Sequence, residues 1–219
     1  EEKAKVFGSG DAYLLLDHPG GEAQVDFGSF EAFENGAKKK LHELILSYPK
    51  SNAGFSVATR SETREALLEG LITIFDFIGH VPSAIWFDQM SSAALRTRDE
   101  KGLVKVADPV MRFSTHYGFS IKFCNPDSGN EKGNVENKVG TIRRNLFVPE
   151  PTITDLDEFN KELLEKCLKR NKEIHYRFKE PIEKLFEEEK ALMIPFNKVP
   201  FDTAKYETRK VNKYGLIDY

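Results

Sequence analysis

Asp26, Asp88 and Glu136 stand where a carboxylate is unusual. Asp26 interrupts the apolar run Val25-Asp26-Phe27, Asp88 follows Ile85-Trp86-Phe87, and Glu136 sits beside an apolar stripe of Val135, Val139, Ile142 and Leu146. A carboxylate among apolar side chains is costly to bury ionised unless it is paired or holds a metal. Two strand carboxylates and one from a helix, brought together, would form an all-oxygen site suited to Mg²⁺ or Mn²⁺. Each also has a plainer reading. An aspartate at a strand end serves as a turn residue, and Glu136 can pair with Lys132 at i,i+4 on a solvated helix face for a few tenths of a kcal/mol.

The cations around Glu136 favour the chemical reading. Over residues 132–146, Lys132, Lys138, Arg143 and Arg144 outnumber Glu136, a net of 4 − 1 = +3. A single acid among cations fits a metal ligand beside groups that neutralise phosphates. Arg96 and Arg98, with Lys101 and Lys105, form a second basic group in a segment read as an exposed loop over 91–105. A third lies at 161–179, where seven basic residues face three acids for a net of +4, although a solvated amphipathic helix explains that segment as well. The five histidines show no zinc-ligand spacing with one another or with the two cysteines.

Definite elements must position these residues. Segments 23–30, 39–48 and 53–59 read as three strands separated by Asn35-Gly36 and by Pro49 to Asn52, an antiparallel meander. Leu67, Leu71, Ile74, Phe75 and Ile78 then recur at helical spacing, with Thr59 and Glu62 as a capping box and Gly79 as the stop. The short run 83–88 has no polar alternation and reads as a strand buried on both faces. A helix over 108–117, a strand over 120–124 and a helix over 131–146 follow. Another helix starts at Thr154 and Asp157, and Pro181 opens a last one over 181–189. This order predicts an α/β fold, a mixed five-stranded sheet with an antiparallel meander and parallel strands, flanked by helices. It is also the order of the ribonuclease-H-like fold.

Composition sets the outer bounds. The 219 residues carry 32 Lys plus Arg against 35 Asp plus Glu, so the formal charge is 32 − 35 = −3, and any polyanion must be met by local patches. With 40% apolar and 31% charged residues the chain is neither disordered nor fibrous. No apolar run reaches the roughly 20 residues of a membrane helix. Cys124 and Cys167, 43 positions apart, read as free thiols in a reducing cytoplasm. The start, Glu-Glu-Lys-Ala-Lys, has neither Met nor a secretory pattern and reads as the start of an excised fragment.

Three blocks carry a resemblance. Gly21-Glu22-Ala23-Gln24-Val25-Asp26-Phe27-Gly28, then Gly79-His80-Val81-Pro82 leading to Trp86-Phe87-Asp88, then Lys132-Gly133-Asn134-Val135-Glu136-Asn137-Lys138-Val139-Gly140 resemble the catalytic blocks of IstA-type transposases, the insertion-sequence-21 group of the retroviral-integrase superfamily. The spacing is 61 residues between the aspartates and 47 between Asp88 and Glu136. Gln89 stands where the group commonly has Asn, and Phe27 where it commonly has Trp.

The resemblance implies that Asp26, Asp88 and Glu136 are the metal-binding catalytic acids of a ribonuclease-H-like core. It implies two Mg²⁺ ions, replaceable by Mn²⁺, and a DDE-type polynucleotidyl transferase that hydrolyses the phosphodiester at transposon ends and transfers the 3′-hydroxyl strand into target DNA. Lys132, Lys138, Arg143, Arg144, Arg96 and Arg98 are then expected DNA contacts. The expected partners are transposon-end and target DNA, further copies on that DNA and a separate ATPase, with no membrane, in a bacterial cytoplasm at the nucleoid. Expected divisions are an N-terminal extension over 1–22, the core over 23–190, and over 191–219 a linker and the start of a truncated β-barrel. Two other readings stay open, a nuclease that cuts without joining and a non-catalytic DNA-binding or assembly module.

Overall fold

The computed structural model describes residues 19–87, 93–98, 104–123 and 146–206. The chain opens with β1 (Glu22–Glu34), β2 (Ala37–Tyr48) and β3 (Ala53–Thr59), followed by α1 (Arg64–Ile78), β4 (His80–Val81) and β5 (Ala84–Phe87). Next come β6 (Ala94–Arg98), β7 (Val104–Val106), α2 (Asp108–Tyr117) and β8 (Ser120–Phe123). Then β9 (Thr152–Ile153), α3 (Leu156–Arg170), α4 (Ile182–Lys190) and β10 (Ile194–Pro195) complete the described order. The helix expected over 131–146 lies, up to residue 145, outside the described residues.

The main sheet runs β3-β2-β1-β5-β8, with β9 pairing beside the far end of β1. The meander is antiparallel, and β1, β5 and β8 are parallel to one another. This is the mixed α/β architecture expected from the sequence, extended by the two-residue β9. Asn35 and Gly36 both take positive φ, 52° and 77°, which supplies the tight turn that right-twisted strands need and sets Glu34 opposite Ala37.

Helix α1 forms where the 3.6-residue period indicated, with Leu67, Leu71, Ile74 and Phe75 fully buried. Its cap is Thr63, not Thr59: the Thr63 side chain accepts from the Ala66 N–H, whereas Thr59 ends β3 and donates to the Ser61 carbonyl. Gly79 closes the helix at φ 73°, its N–H donating to the Phe75 carbonyl at 2.9 Å. Likewise α3 is capped by Asp155, which accepts from the Glu158 N–H at 2.8 Å, one residue after the expected Thr154. The 91–105 segment, read as a loop, contains the antiparallel pair of β6 and β7.

Apolar side chains cover both faces of the sheet. On one face Val25, Leu44, Leu46, Phe55 and Val57 pack under α1 and α2, and α1 lies so close that a side chain on Gly70 would meet the Leu44 methyl at 2.6 Å. On the other, Phe30, Leu41, Ile45 and Ala58 pack with Phe147, Phe159 and Leu163, and the Phe30 and Phe147 rings stack at 4.0 Å. Residues 193–206, read above as part of the linker, lie across α1 and α2. Phe196 donates its N–H to the Gly79 carbonyl, its ring stacks on Tyr117, and Phe201 meets Phe113 edge-on at 5.1 Å.

Strand β3 is at the edge of the sheet yet buried at all seven positions. An open edge strand presents unpaired backbone groups, and α3 covers them. The Asn160 amide stands in for a neighbouring strand, accepting from the Ala58 N–H at 2.6 Å and donating to the Ala58 carbonyl at 3.0 Å. Farther along, Asn171 accepts from the Gly54 N–H. Asn160→Ala should therefore lower the unfolding free energy by about 1–3 kcal/mol, because both Ala58 groups lose their partner away from water. Urea denaturation measures this, and a change within error would show that the edge is held by α3 packing alone.

Candidate active site on the central strands

Asp26 lies on β1, the strand shared by the antiparallel and parallel halves of the sheet, directly opposite Ile45 of β2. It is half-buried, and its Oδ1 accepts from the Phe27 N–H at 2.8 Å. On its other side β1 pairs with β5 in a parallel register that ends at Val25 opposite Phe87, and Phe87 in turn pairs with Phe123 of β8. The carboxyl ends of two parallel strands thus open beside Asp26, which is where sites form in open α/β sheets. Asp88 is the residue after Phe87 in the chain, but it lies outside the described residues, as do Glu136, Lys132, Lys138, Arg143 and Arg144. Arg96 and Arg98 lie on β6, within its pairing with β7.

Strand alternation decides which face Asp26 occupies. Val25 points into the core under α1, so Asp26 shares the opposite face with Glu22, Gln24 and Gly28, and with Trp86 and Lys122 on the neighbouring strands. Glu22 links these strands: its two oxygens accept from the Trp86 indole N–H and the Lys122 ammonium, both at 2.6 Å, and Lys122 lies 4.9 Å from the Trp86 ring centre. Trp86 is consequently half-buried, where the apolar run had suggested burial on both faces.

Sequence reasoning missed a buried acid on this face. Glu43 pairs with Gly28 and is fully buried, and a Cβ on Gly28 would lie 2.5 Å from its Oε1. The glycine leaves the space that the buried carboxylate occupies. The available signal was an acid inside Leu41-His42-Glu43-Leu44-Ile45-Leu46. Among the described residues no three His, Cys, Asp or Glu side chains converge as a metal site.

No family model matches the sequence. A transposase of Aminobacter aminovorans is 28% identical over 221 residues, covering 99% of this chain and 42% of the relative. The transposase for insertion sequence element IS21 of Pseudomonas aeruginosa is 24% identical over 219 residues, covering all of this chain and 56% of the relative. The chain is similar in sequence to insertion-sequence transposases. It spans about half the length of the two relatives compared. The catalytic core domain of HTLV-2 integrase, solved in complex with magnesium in a trimeric form, superposes with a TM-score of 0.51 at 17% identity, covering 79% of this chain and 98% of that one. The fold of the chain is that of an integrase catalytic core, ribonuclease-H-like, as the three sequence blocks implied.

The start of β1 is held from below. Gly21, at φ 77°, donates its N–H to Glu189 Oε1 of α4 at 3.3 Å, and its carbonyl accepts from both the N–H and the hydroxyl of Ser83. Burial pushes the Glu189 carboxyl above its ordinary value, and burial together with the Glu189 charge pushes the neighbouring Tyr48 phenol well up. With the Glu189 value raised in the folded state, its contribution to stability is full below about 4.5 and is lost as pH rises through the raised value. Glu189→Gln keeps a neutral acceptor for Gly21 and should remove this loss. The urea midpoint of the variant is expected to rise relative to the unsubstituted protein as pH is increased above about 4.5. A difference that stays constant with pH would overturn this assignment.

Proposed function

We propose that the chain is the catalytic core of a DNA transposase that hydrolyses the phosphodiester at each element end and then joins the freed 3′-hydroxyl to target DNA. The observation that carries this reading is Asp26 on the central strand of an integrase-type core, half-buried beside the carboxyl end of β5, whose next residue is Asp88. Homology to insertion-sequence transposases supports the same reaction class.

Asp26, Asp88 and Glu136 would hold the divalent cations. An aspartate set in an apolar strand at such a position fits an oxygen-seeking ion, and the integrase core that shares the fold was solved with magnesium. Bound Mg²⁺, or Mn²⁺ in its place, would supply Lewis acidity at the scissile phosphate in a two-ion arrangement. The chain's own residues then have positional roles. The acids fix where the phosphate sits, Glu22 keeps Trp86 beside that place, and no side chain is required as a nucleophile. Lys132, Lys138, Arg143 and Arg144 would neutralise phosphates, with Arg96 and Arg98 extending the contact. Joining two element ends at one target calls for a multimer on DNA, and the integrase core is known in trimeric form. The resemblance to IstA-type transposases implies that an ATP-dependent step would belong to a separate partner ATPase. The core is assigned to residues 23–190.

Two measurements test this reading. Asp26→Asn, Asp88→Ala and Glu136→Gln should each lower cleavage and joining of labelled element-end DNA in Mn²⁺ by at least roughly a hundredfold, given the several kcal/mol that such ions supply. Undiminished activity would sink the assignment, and cleavage without joined product would favour a simple nuclease. Trp86 is the sole tryptophan, so paramagnetic Mn²⁺ should quench its emission saturably in the unsubstituted protein and much less in Asp26→Asn. Equal quenching in both would remove Asp26 from the ligand set.

A further inference from the structure

The connection between α3 and α4, residues 171–181, holds two aromatic side chains at the surface, each packed on one side against the His175 ring. Its centre is His175, only 2% exposed, whose N–H donates to the Glu180 carbonyl at 2.7 Å and whose Nδ1 accepts from the N–H groups of Arg177 and Phe178, each at 3.1 Å. Ile174 bridges Pro181, Ile182 donates to the Glu173 carbonyl, and Lys179 holds a left-handed φ of 58° while donating to the His175 carbonyl. A loop this strongly tied is ordered in advance, so little entropy remains to be lost on binding.

That scaffold leaves Tyr176 64% and Phe178 38% exposed. Cations surround them. Arg177 lies over the Phe178 ring at 5.4 Å and Lys50, from the β2–β3 turn, at 5.5 Å, while Lys172 and Lys179 are exposed on the same loop. Of the acids on the loop itself, Glu180 pairs with Lys184 and Glu173 with Arg170. The helical part of the 161–179 segment differs: Lys161 pairs with Glu158 and Lys166 with Glu162 on the surface of α3, as a solvated helix does. The cationic excess therefore concentrates on the loop.

We propose that the 172–179 loop, with Lys50, is a DNA-binding surface, its cations set against phosphates and the Tyr176 ring stacked on an unpaired base. Interleaved cations and exposed aromatic rings are the chemistry that holds single-stranded nucleic acid. The base of the loop, at the Asn171–Gly54 bond, is two strands across and two residues along from Asp26 through the pairings Gly54–Ser47 and Ser47–Gln24, about 12 Å by strand geometry. With the reach of the loop added, the contact falls on the order of five base pairs from a phosphate at Asp26, at 3.4 Å per pair. The assignment rests on the reading that the substrate is DNA.

Fluorescence anisotropy of the 219-residue chain with labelled oligonucleotides in EDTA tests it, without any dependence on catalysis. The probes are a fully paired duplex and the same duplex with a frayed end. Lys172→Glu with Arg177→Glu should weaken binding to both at least about tenfold and reduce the salt slope by about two. Tyr176→Ala should weaken the frayed probe about tenfold and the paired one far less. Lys161→Glu with Lys166→Glu on α3 should stay within about twofold of the unsubstituted protein. Unchanged melting by circular dichroism shows that the exposed substitutions leave the fold intact. Absence of binding by the unsubstituted chain, loop variants that bind normally, or loop variants that alter only the oligomeric state would overturn the proposal, the last making the loop a protein interface. Normal binding by loop variants together with an inactive Asp26→Asn overturns the loop assignment alone. Lost binding together with a fully active Asp26→Asn overturns the catalytic assignment alone.

Discussion

The parallel pairing of β1 with β5 is the interaction on which the remaining geometry depends. Strand β1 is shared: it pairs antiparallel with β2 over its length and parallel with β5 over Glu22 to Val25. Side chains alternate between faces, so a slip of one residue would turn Asp26 into the core under α1 and expose Val25. Three local features hold the register against that slip. The positive-φ pair Asn35-Gly36 fixes β1 against β2, Gly28 accepts the buried Glu43 at one pairing only, and Glu22 ties β1 to β5 and β8 through Trp86 and Lys122. A carboxylate in an apolar strand is stable at Asp26 because the apolar neighbours Val25 and Phe27 take the core face while it remains half-buried on the other.

Much of this frame is legible in the sequence, and the reasons differ by element. The meander follows from strand-like runs broken by Asn35-Gly36 and Pro49 to Asn52, and α1 from five apolar residues at helical spacing. Both signals are local. The cap of α1 is less determined, since Thr59-x-x-Glu62 satisfies the capping pattern while Thr63 performs the function four residues later. In 91–105 the charges suggest a loop, although Leu95-Arg96-Thr97-Arg98 and Val104-Lys105-Val106 alternate as strands do. Buried acids are the least legible. Glu43 and Glu189 resemble surface carboxylates until the packing of β1 and α4 encloses them, because burial is set by distant parts of the chain.

The candidate site divides in the same way. Asp26 could be singled out because its immediate neighbours are apolar, a contrast visible within three residues. The 172–179 loop could not be separated from α3 by charge counting, because the lysines of both contribute equally to a sum. Pairing geometry separates them: i,i+3 and i,i+4 acids face the helical lysines, whereas backbone bonds to the buried His175 order a loop on which Lys172, Lys179 and Tyr176 are exposed.

A net charge of −3 is compatible with a polyanionic substrate because charges act over short distances. At physiological salt the Debye length is about 8 Å, so a phosphate near Asp26 responds to groups within that range and scarcely to the acidic face of α4. Near Asp26 the relevant charges are carboxylates, which repel a phosphate unless cations intervene. The Lys122 ammonium on this face is committed to Glu22 at 2.6 Å, so it offsets that acid first. Under the proposed assignment a divalent cation would bridge these acids to a phosphate, and lysines and arginines would neutralise phosphates farther out. Acids gathered at a metal site and cations placed farther out would bring the total charge close to zero, so the near-neutral chain is compatible with the proposed chemistry.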